Sequence, residues 1–241
     1  MSSPDAGAVA PQESASFGDN LAGMFNVFVD PASTAKRVGR PWFWVPPFII
    51  VSAITVVVSI FISPIAMDVM RKYPPSDQLT GEALDRAVRM TGIISKVQAF
   101  AAPILFAIVT AISAWIVSLM CSMLSMKARF MELFSLITTC SLITAIGGIA
   151  GYFVIRAKAD DITSMQQLAP SFGLDIFFPD LKGPLFALLN YFSLFQIWYL
   201  VVLALGLAYL THSSKAKGFM AITPLWVIGL AFRLIGSLFT K

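Results

Sequence analysis

Charge is what this sequence has least of. Asp, Glu, Lys and Arg make up 12% of its 241 residues against 57% hydrophobic ones, and the mean hydropathy is +0.79. That balance lies far outside the range of soluble globular domains and places the chain in lipid. Histidine is nearly missing too: His212 stands alone in the turn after the fourth apolar run, and no HExxH, GxSxG or P-loop pattern occurs. The sequence therefore predicts no catalytic residue, no metal site and no cofactor, in a protein that is not an enzyme. Of the two cysteines, Cys121 closes one apolar run and Cys140 lies within the next, at different depths, so both are expected to be packing residues rather than a disulfide or a metal pair. The net charge of +4 is scattered, with no basic face interleaved with aromatics, which excludes nucleic acid and leaves attraction to anionic lipid to account for it. Residues 1–20 hold Asp5, Glu13 and Asp19 but no basic residue and no apolar core. A disordered tail is expected there, with no cleaved signal, so that the first span does the targeting.

What the chain has is long apolar runs. From Pro184 to Leu210 there is no charged residue, and at about 1.5 Å per residue such a run crosses a hydrocarbon core of roughly 30 Å. With four more such runs, the expected spans are five, at about 42–67, 97–124, 130–155, 184–210 and 219–239. The fold class expected is an all-α integral membrane protein: a five-transmembrane-helix bundle over 42–241 with short amphipathic interfacial helices before it, over 21–41.

In that N-terminal segment Leu21, Met24, Phe25 and Phe28 recur at i, i+3, i+4 and i+7, one face of a short helix that can lie in the membrane interface. Asp30 reads as the N-cap and Pro31 as the first residue of a second short helix reaching about Val38. Lys36, Arg37 and Arg40 then run into Trp42 and Trp44, a basic cluster entering an aromatic belt.

Phe28, Asp30, Pro31 and Trp42 to Trp44, together with Asn190, Phe195, Trp198, Gly206 and the Ser213 to Lys217 turn, resemble bacterial YIP1-family membrane proteins over most of the chain. The resemblance implies five transmembrane helices and a cytosolic N-terminus; its eukaryotic members are tied to small GTPases and vesicle traffic. Asp180 to Pro184 also resembles the Asp-Leu-x-Gly-Pro motif of eukaryotic members, where it precedes a different helix.

Small residues recur at helix spacing in the second and third spans: Ala107, Ala111 and Ala114 on one, Gly147, Gly148 and Gly151 on the other. Gly147 and Gly151 form a GxxxG pair, expected to serve helix packing within the chain rather than a homodimer seam. Asn190, Ser193 and Gln196 are expected to point from the fourth span into the bundle and hydrogen-bond across helices. Arg233 is the one clear ionisable group inside a span, about 14 residues beyond Phe219 and so roughly 21 Å from the cytosolic side. It is expected to snorkel to the outer interface or to pair with Asp180 or Asp68. In the long loop 156–182, Asp160 or Asp161 can cap a short helix that Pro170 stops, and the apolar stretch from Phe172 to Phe178 is expected to fold back onto the end of the bundle.

With the N-terminus inside, Lys36, Arg37, Arg40, Lys127, Arg129, Lys215 and Lys217 face the cytosol. The far side carries more basic residues in all, but the cytosolic ones are concentrated in short loops, where the positive-inside rule works best. The expected location is the bacterial cytoplasmic (inner) membrane with a cytosolic N-terminus. The expected function is that of a non-catalytic adaptor or organiser of a membrane complex, of membrane shape or of trafficking-like processes, acting through Leu21 to Trp44 and the basic turns. On that reading, deleting residues 1–29 should leave the bundle folded. The alternative is a transporter of small solutes, ions or lipids lined by Asn190, Gln196 and Arg233, against which stand an odd number of spans and no repeated half. Partners expected are the lipid bilayer and another membrane protein, with a homo-oligomer left open.

Overall fold

The computed structural model describes residues 17–74, 76, 79–168, 172–178 and 183–239, and all regular structure among them is helical. The tail before residue 17, Pro170, and Asp180 to Lys182 lie outside the described residues. The helices are α1 (Phe17–Met24), α2 (Pro31–Ala35), α3 (Val45–Lys72), α4 (Gly81–Met123), α5 (Phe130–Ala157), α6 (Gly183–Tyr191), α7 (Leu194–Leu210) and α8 (Lys215–Phe239). Short 3-10 turns occupy Phe25–Phe28, Met165–Leu168 and Leu174–Phe177. Four helices, α3, α4, α5 and α8, are long and apolar enough to cross a membrane, and α6 with α7, bent by 49° at their break, meets the same test as a pair, which gives four spans or five according to whether that pair crosses as one. The chain is an all-α integral membrane bundle.

Its centre is α5. Two thirds of the apolar window of α5 is buried (67%), against 17% in α3 and in α8, whose remaining surface is left to lipid. This central helix carries several hydroxyls, and three of them bond to its own backbone: Thr138 donates to the Phe134 carbonyl at 2.7 Å, Thr139 to Ser135 at 2.7 Å and Ser141 to Ile137 at 2.9 Å, while the buried Ser135 hydroxyl has no partner among the described residues. Side chains bonded back one turn in this way cost little in an apolar interior and need no partner on another helix.

The two short turns at the N-terminal end of the bundle are built alike. Ser125 (φ 56°) ends α4 and His212 (φ 50°) ends α7, each in the left-handed conformation. The next N–H reaches back five residues, Met126 to the Cys121 carbonyl at 2.8 Å and Ser213 to Ala208 at 2.9 Å. These are the closing bonds of a Schellman motif with a non-glycine residue in the glycine position. Lys217 Nζ donates to the Leu124 carbonyl at 3.2 Å and ties the two turns together.

The N-terminal segment is more than an interfacial cover. Met24, Val27, Val38 and Phe43 are buried in the same apolar cluster as Ala114, Val117 and Leu136 of α4 and α5. Leu21, Met24, Phe25 and Phe28 do not share one face, because the chain tightens from α to 3-10 at Phe25 and residues three apart become eclipsed. Met24 and Val27 therefore turn inward together, while Phe25 and Phe28 stack on each other at 6.5 Å and Phe28 reaches Trp198 of α7 at 5.8 Å. Asp30 caps α2, its carboxylate accepting from the Ser33 N–H at 3.1 Å with Pro31 first in the helix. α1 begins at Phe17, four residues inside the stretch expected to be a tail.

Two long helices run beyond the apolar spans. α4 starts at Gly81, well before residue 97, and α3 runs on to Lys72, so the pair extends past the apolar runs as a helical arm. Met67 fills the space beside Gly92, and Thr91 Oγ1 donates to the Met70 sulfur at 3.0 Å, which carries the packing into that arm. The span expected as one helix over 184–210 is broken at Phe192 and Ser193. Ser193 is the reason: its hydroxyl accepts from the Gln196 N–H at 3.2 Å and so starts a new helix where an uninterrupted one would have continued.

Candidate functional site

Two places gather the polar residues singled out by sequence. The first is the break between α6 and α7. There Asn190, buried, donates from Nδ2 to Asp175 Oδ2 at 3.0 Å and accepts at Oδ1 from Nη2 of Arg233 on α8. Asp175 is only 3% exposed, and its second oxygen has no hydrogen-bond partner among the described residues. A lone carboxylate or guanidinium is costly at membrane depth, and an amide bridging the two lets each compensate the other without direct contact. Arg233 is thus paired, as expected of an intramembrane arginine, but through Asn190 and not with Asp68; Asp180 lies outside the described residues. Both ends of the Asn190 amide are occupied. Ser193 and Gln196, half-buried, form the cap of α7 at the same break.

The same neighbourhood holds three further ties. The Leu194 N–H donates to the Phe172 carbonyl at 2.9 Å, Phe172 meets Phe195 edge-on at 5.2 Å, and Tyr191 donates to the Trp226 carbonyl at 2.9 Å. Gly173 fits where a Cβ would stand 2.6 Å from the Leu189 carbonyl oxygen. Asp175 was not singled out by the sequence reading, although a signal was present. It is the single charge between Phe172 and Phe178, and a carboxylate in so apolar a run needs a partner.

The second place is the end of the bundle where the N-terminal segment and the two Schellman turns meet. Gly39 packs against the Glu132 side chain in the first turn of α5, with 3.4 Å between a Cβ built there and the carboxylate oxygen, and Glu132 itself accepts from the Arg129 N–H at 2.8 Å. Around this junction Lys36, Arg40, Lys127, Arg129, Lys215 and Lys217 are all exposed. Arg37 is half-buried and lies across Gly23 of α1. Trp42, in the left-handed conformation (φ 63°), is 71% exposed and Phe25 is exposed as well, whereas Trp44 turns inward to meet Phe134 edge-on at 5.6 Å.

The small residues divide between the two sides of the helix–helix contacts. Gly147 faces Phe195 of α7 and Gly151 is buried, while Gly148 is exposed with open space where a Cβ would be. On α4, Ala114 is buried and Ala107 and Ala111 are half-buried. At the tip of the arm an open cleft of ≈ 480 Å³ lies between Arg71, Glu82, Asp85, Arg86 and Arg89, the mixed charges of a solvated helix end.

Comparison with known proteins decides the family. The Yip1 domain matches this chain over residues 25–235. The chain belongs to the Yip1 family. It is also similar to the membrane protein YknW of Bacillus subtilis (strain 168), with 26% identity over 230 residues that cover 89% of this chain and 90% of that one. No solved structure matches. The Yip1 match begins at Phe25 and ends beyond Arg233, so the Asp175, Asn190 and Arg233 cluster and the docked segment from Phe25 onward fall inside the domain, while α1 with Met24 precedes it.

Proposed function

We propose that this Yip1-family membrane protein is a non-catalytic organiser of a membrane complex. It presents a basic, aromatic platform at the end where its N-terminal segment meets its two short turns. The observation that carries this reading is the convergence there of six exposed basic side chains, Lys36, Arg40, Lys127, Arg129, Lys215 and Lys217, with the exposed ring of Trp42. The platform is rigid, because Met24, Val27 and Phe43 anchor it in the bundle core and Lys217 ties one turn to the other. Exposed aromatics beside basic groups suit a protein partner or the anionic surface of a membrane, and a pre-ordered surface lowers the entropic cost of docking. His212, the one histidine, has a conformational role as the left-handed residue ending α7, which supports a non-catalytic reading. The platform faces the cytosol and the protein resides in a bacterial cytoplasmic membrane, in keeping with the concentration of Lys and Arg in short loops. The partner is a second membrane protein.

The test is co-purification from native lipid patches. Wild-type protein is expected to bring down a partner in fixed stoichiometry, and replacing the six platform charges by Gln is expected to lose it. A control replacing Arg71, Arg86 and Arg89 on the arm should keep it. Equal recovery from both variants would overturn the reading.

A further inference from the structure

We propose that the far-side turn Leu174–Phe178 is a membrane anchor that inserts among phospholipid acyl chains of the far leaflet and is held in that position by Arg233 acting through Asn190 on Asp175. The turn has two opposed faces. Asp175 is buried against α6, whereas Leu174, Ile176, Phe177 and Phe178 all stand exposed, Phe177 at 75%. In a turn surrounded by water, four large apolar side chains pointing outward would be costly, because apolar surface left wet forgoes the gain of burial.

The depth of the turn identifies what covers these side chains. Asp175 is bonded to Asn190, and Asn190 to Arg233. Arg233 lies 18 residues beyond Lys215, hence roughly 27 Å along α8. That is inside or at the edge of a hydrocarbon core of about 30 Å. Phe232, next to Arg233, is 73% exposed, and Ile235 of α8 and Leu185 of α6 are exposed as well, so the turn continues the surface that these helices offer to lipid. The relay explains how a carboxylate can be carried to that depth. Asp175 receives a hydrogen bond from the amide that Arg233 also holds, so the turn brings its one charge to a compensating cation and its apolar side chains to lipid. The break in the fourth span makes room, since the Leu194 N–H at the start of α7 bonds the Phe172 carbonyl just before the turn.

A spin label at Phe177→Cys tests the proposal in full-length protein in phospholipid nanodiscs. Cys121 and Cys140 are buried and stay unlabelled without denaturant. Collision with oxygen, which concentrates in lipid, is compared with collision with a water-soluble nickel chelate, using Phe232→Cys as the lipid reference and Thr80→Cys, exposed on the arm, as the water reference. The anchor predicts that the Phe177 label follows the lipid reference and loses nickel accessibility. A label that follows the water reference would overturn the proposal, and so would one shielded from both reagents, since that turn would be covered by protein. Adding Arg233→Gln, which leaves the label site untouched, should shift the label toward water and raise its mobility. An unchanged label in that background would overturn the part assigned to the relay.

Discussion

Gly147 of α5 lies under the ring of Phe195 of α7, so close that a Cβ on Gly147 would stand 2.8 Å from the ring's Cγ. Gly148, one residue on, faces open space. Adjacent glycines thus have opposite roles, one admitting an aromatic ring and the other merely lacking a side chain on the lipid-facing surface. Gly147→Ala should destabilise the bundle by about 1–3 kcal/mol, the usual cost of overpacking. Gly148→Ala should cost nothing. Thermal unfolding in detergent reads both, and equal behaviour of the two variants would refute the assignment of Gly147 to an intramolecular contact.

His212 and Ser125 each sit where glycine is normally found, at the left-handed residue that closes a helix. Removing the Cβ there relieves backbone strain, so His212→Gly should retain or raise the melting temperature, with a gain of up to about 1 kcal/mol. A chemical role for the imidazole predicts loss of function in the same variant. Measuring the co-purified partner alongside the melting temperature separates the two.

Asp30 holds α2 by accepting from the Ser33 N–H, and α2 carries buried Thr34 and Ala35 against the bundle. Asp30→Ala should cost about 1 kcal/mol of stability, and Asp30→Asn should restore most of it, because either side chain can cap. The readout is proteolysis within the first 44 residues, faster for Ala and near wild type for Asn. Deleting residues 1–29 removes Met24 and Val27 from the core and should destabilise the whole bundle instead of leaving it folded. Intact bundle stability after that deletion would contradict the packing seen here.

Asp175 and Arg233 never touch, yet Asn190 couples them. In a double-mutant cycle, Asp175→Asn and Arg233→Gln should be non-additive by about 0.5–3 kcal/mol. The coupling should vanish in an Asn190→Leu background. A coupling that survives Asn190→Leu would mean that the charges interact by another route.

The spans were legible because a run free of charge and long enough to cross lipid is a strong one-dimensional signal, as from Pro184 to Leu210. The break at Ser193 was hidden inside that run: a serine can bond back to its own helix or cap a new one, and only its surroundings decide which. The i, i+3, i+4, i+7 pattern of Leu21 to Phe28 indicated a helix but assumed a constant period, and the switch to a 3-10 turn at Phe25 changed which side chains face inward. At the relay, Asn190 and Arg233 stood out as polar groups in apolar helices, whereas the signal at Asp175 was only that of a single charge in the apolar loop run from Phe172 to Phe178. Pairing residues 58 positions apart in the chain requires the fold, not periodicity.

The proposed function requires that the end of the bundle marked by Trp42 meet a second membrane protein. A photo-crosslinking amino acid placed at Trp42, 71% exposed, tests it directly, with Phe100 of α4, 72% exposed along a membrane-crossing helix, as the lipid-facing control. Irradiated in intact cells, position 42 is predicted to yield one discrete adduct of higher mass containing a second protein, while position 100 yields lipid adducts alone. Lipid adducts alone at position 42 would contradict the account.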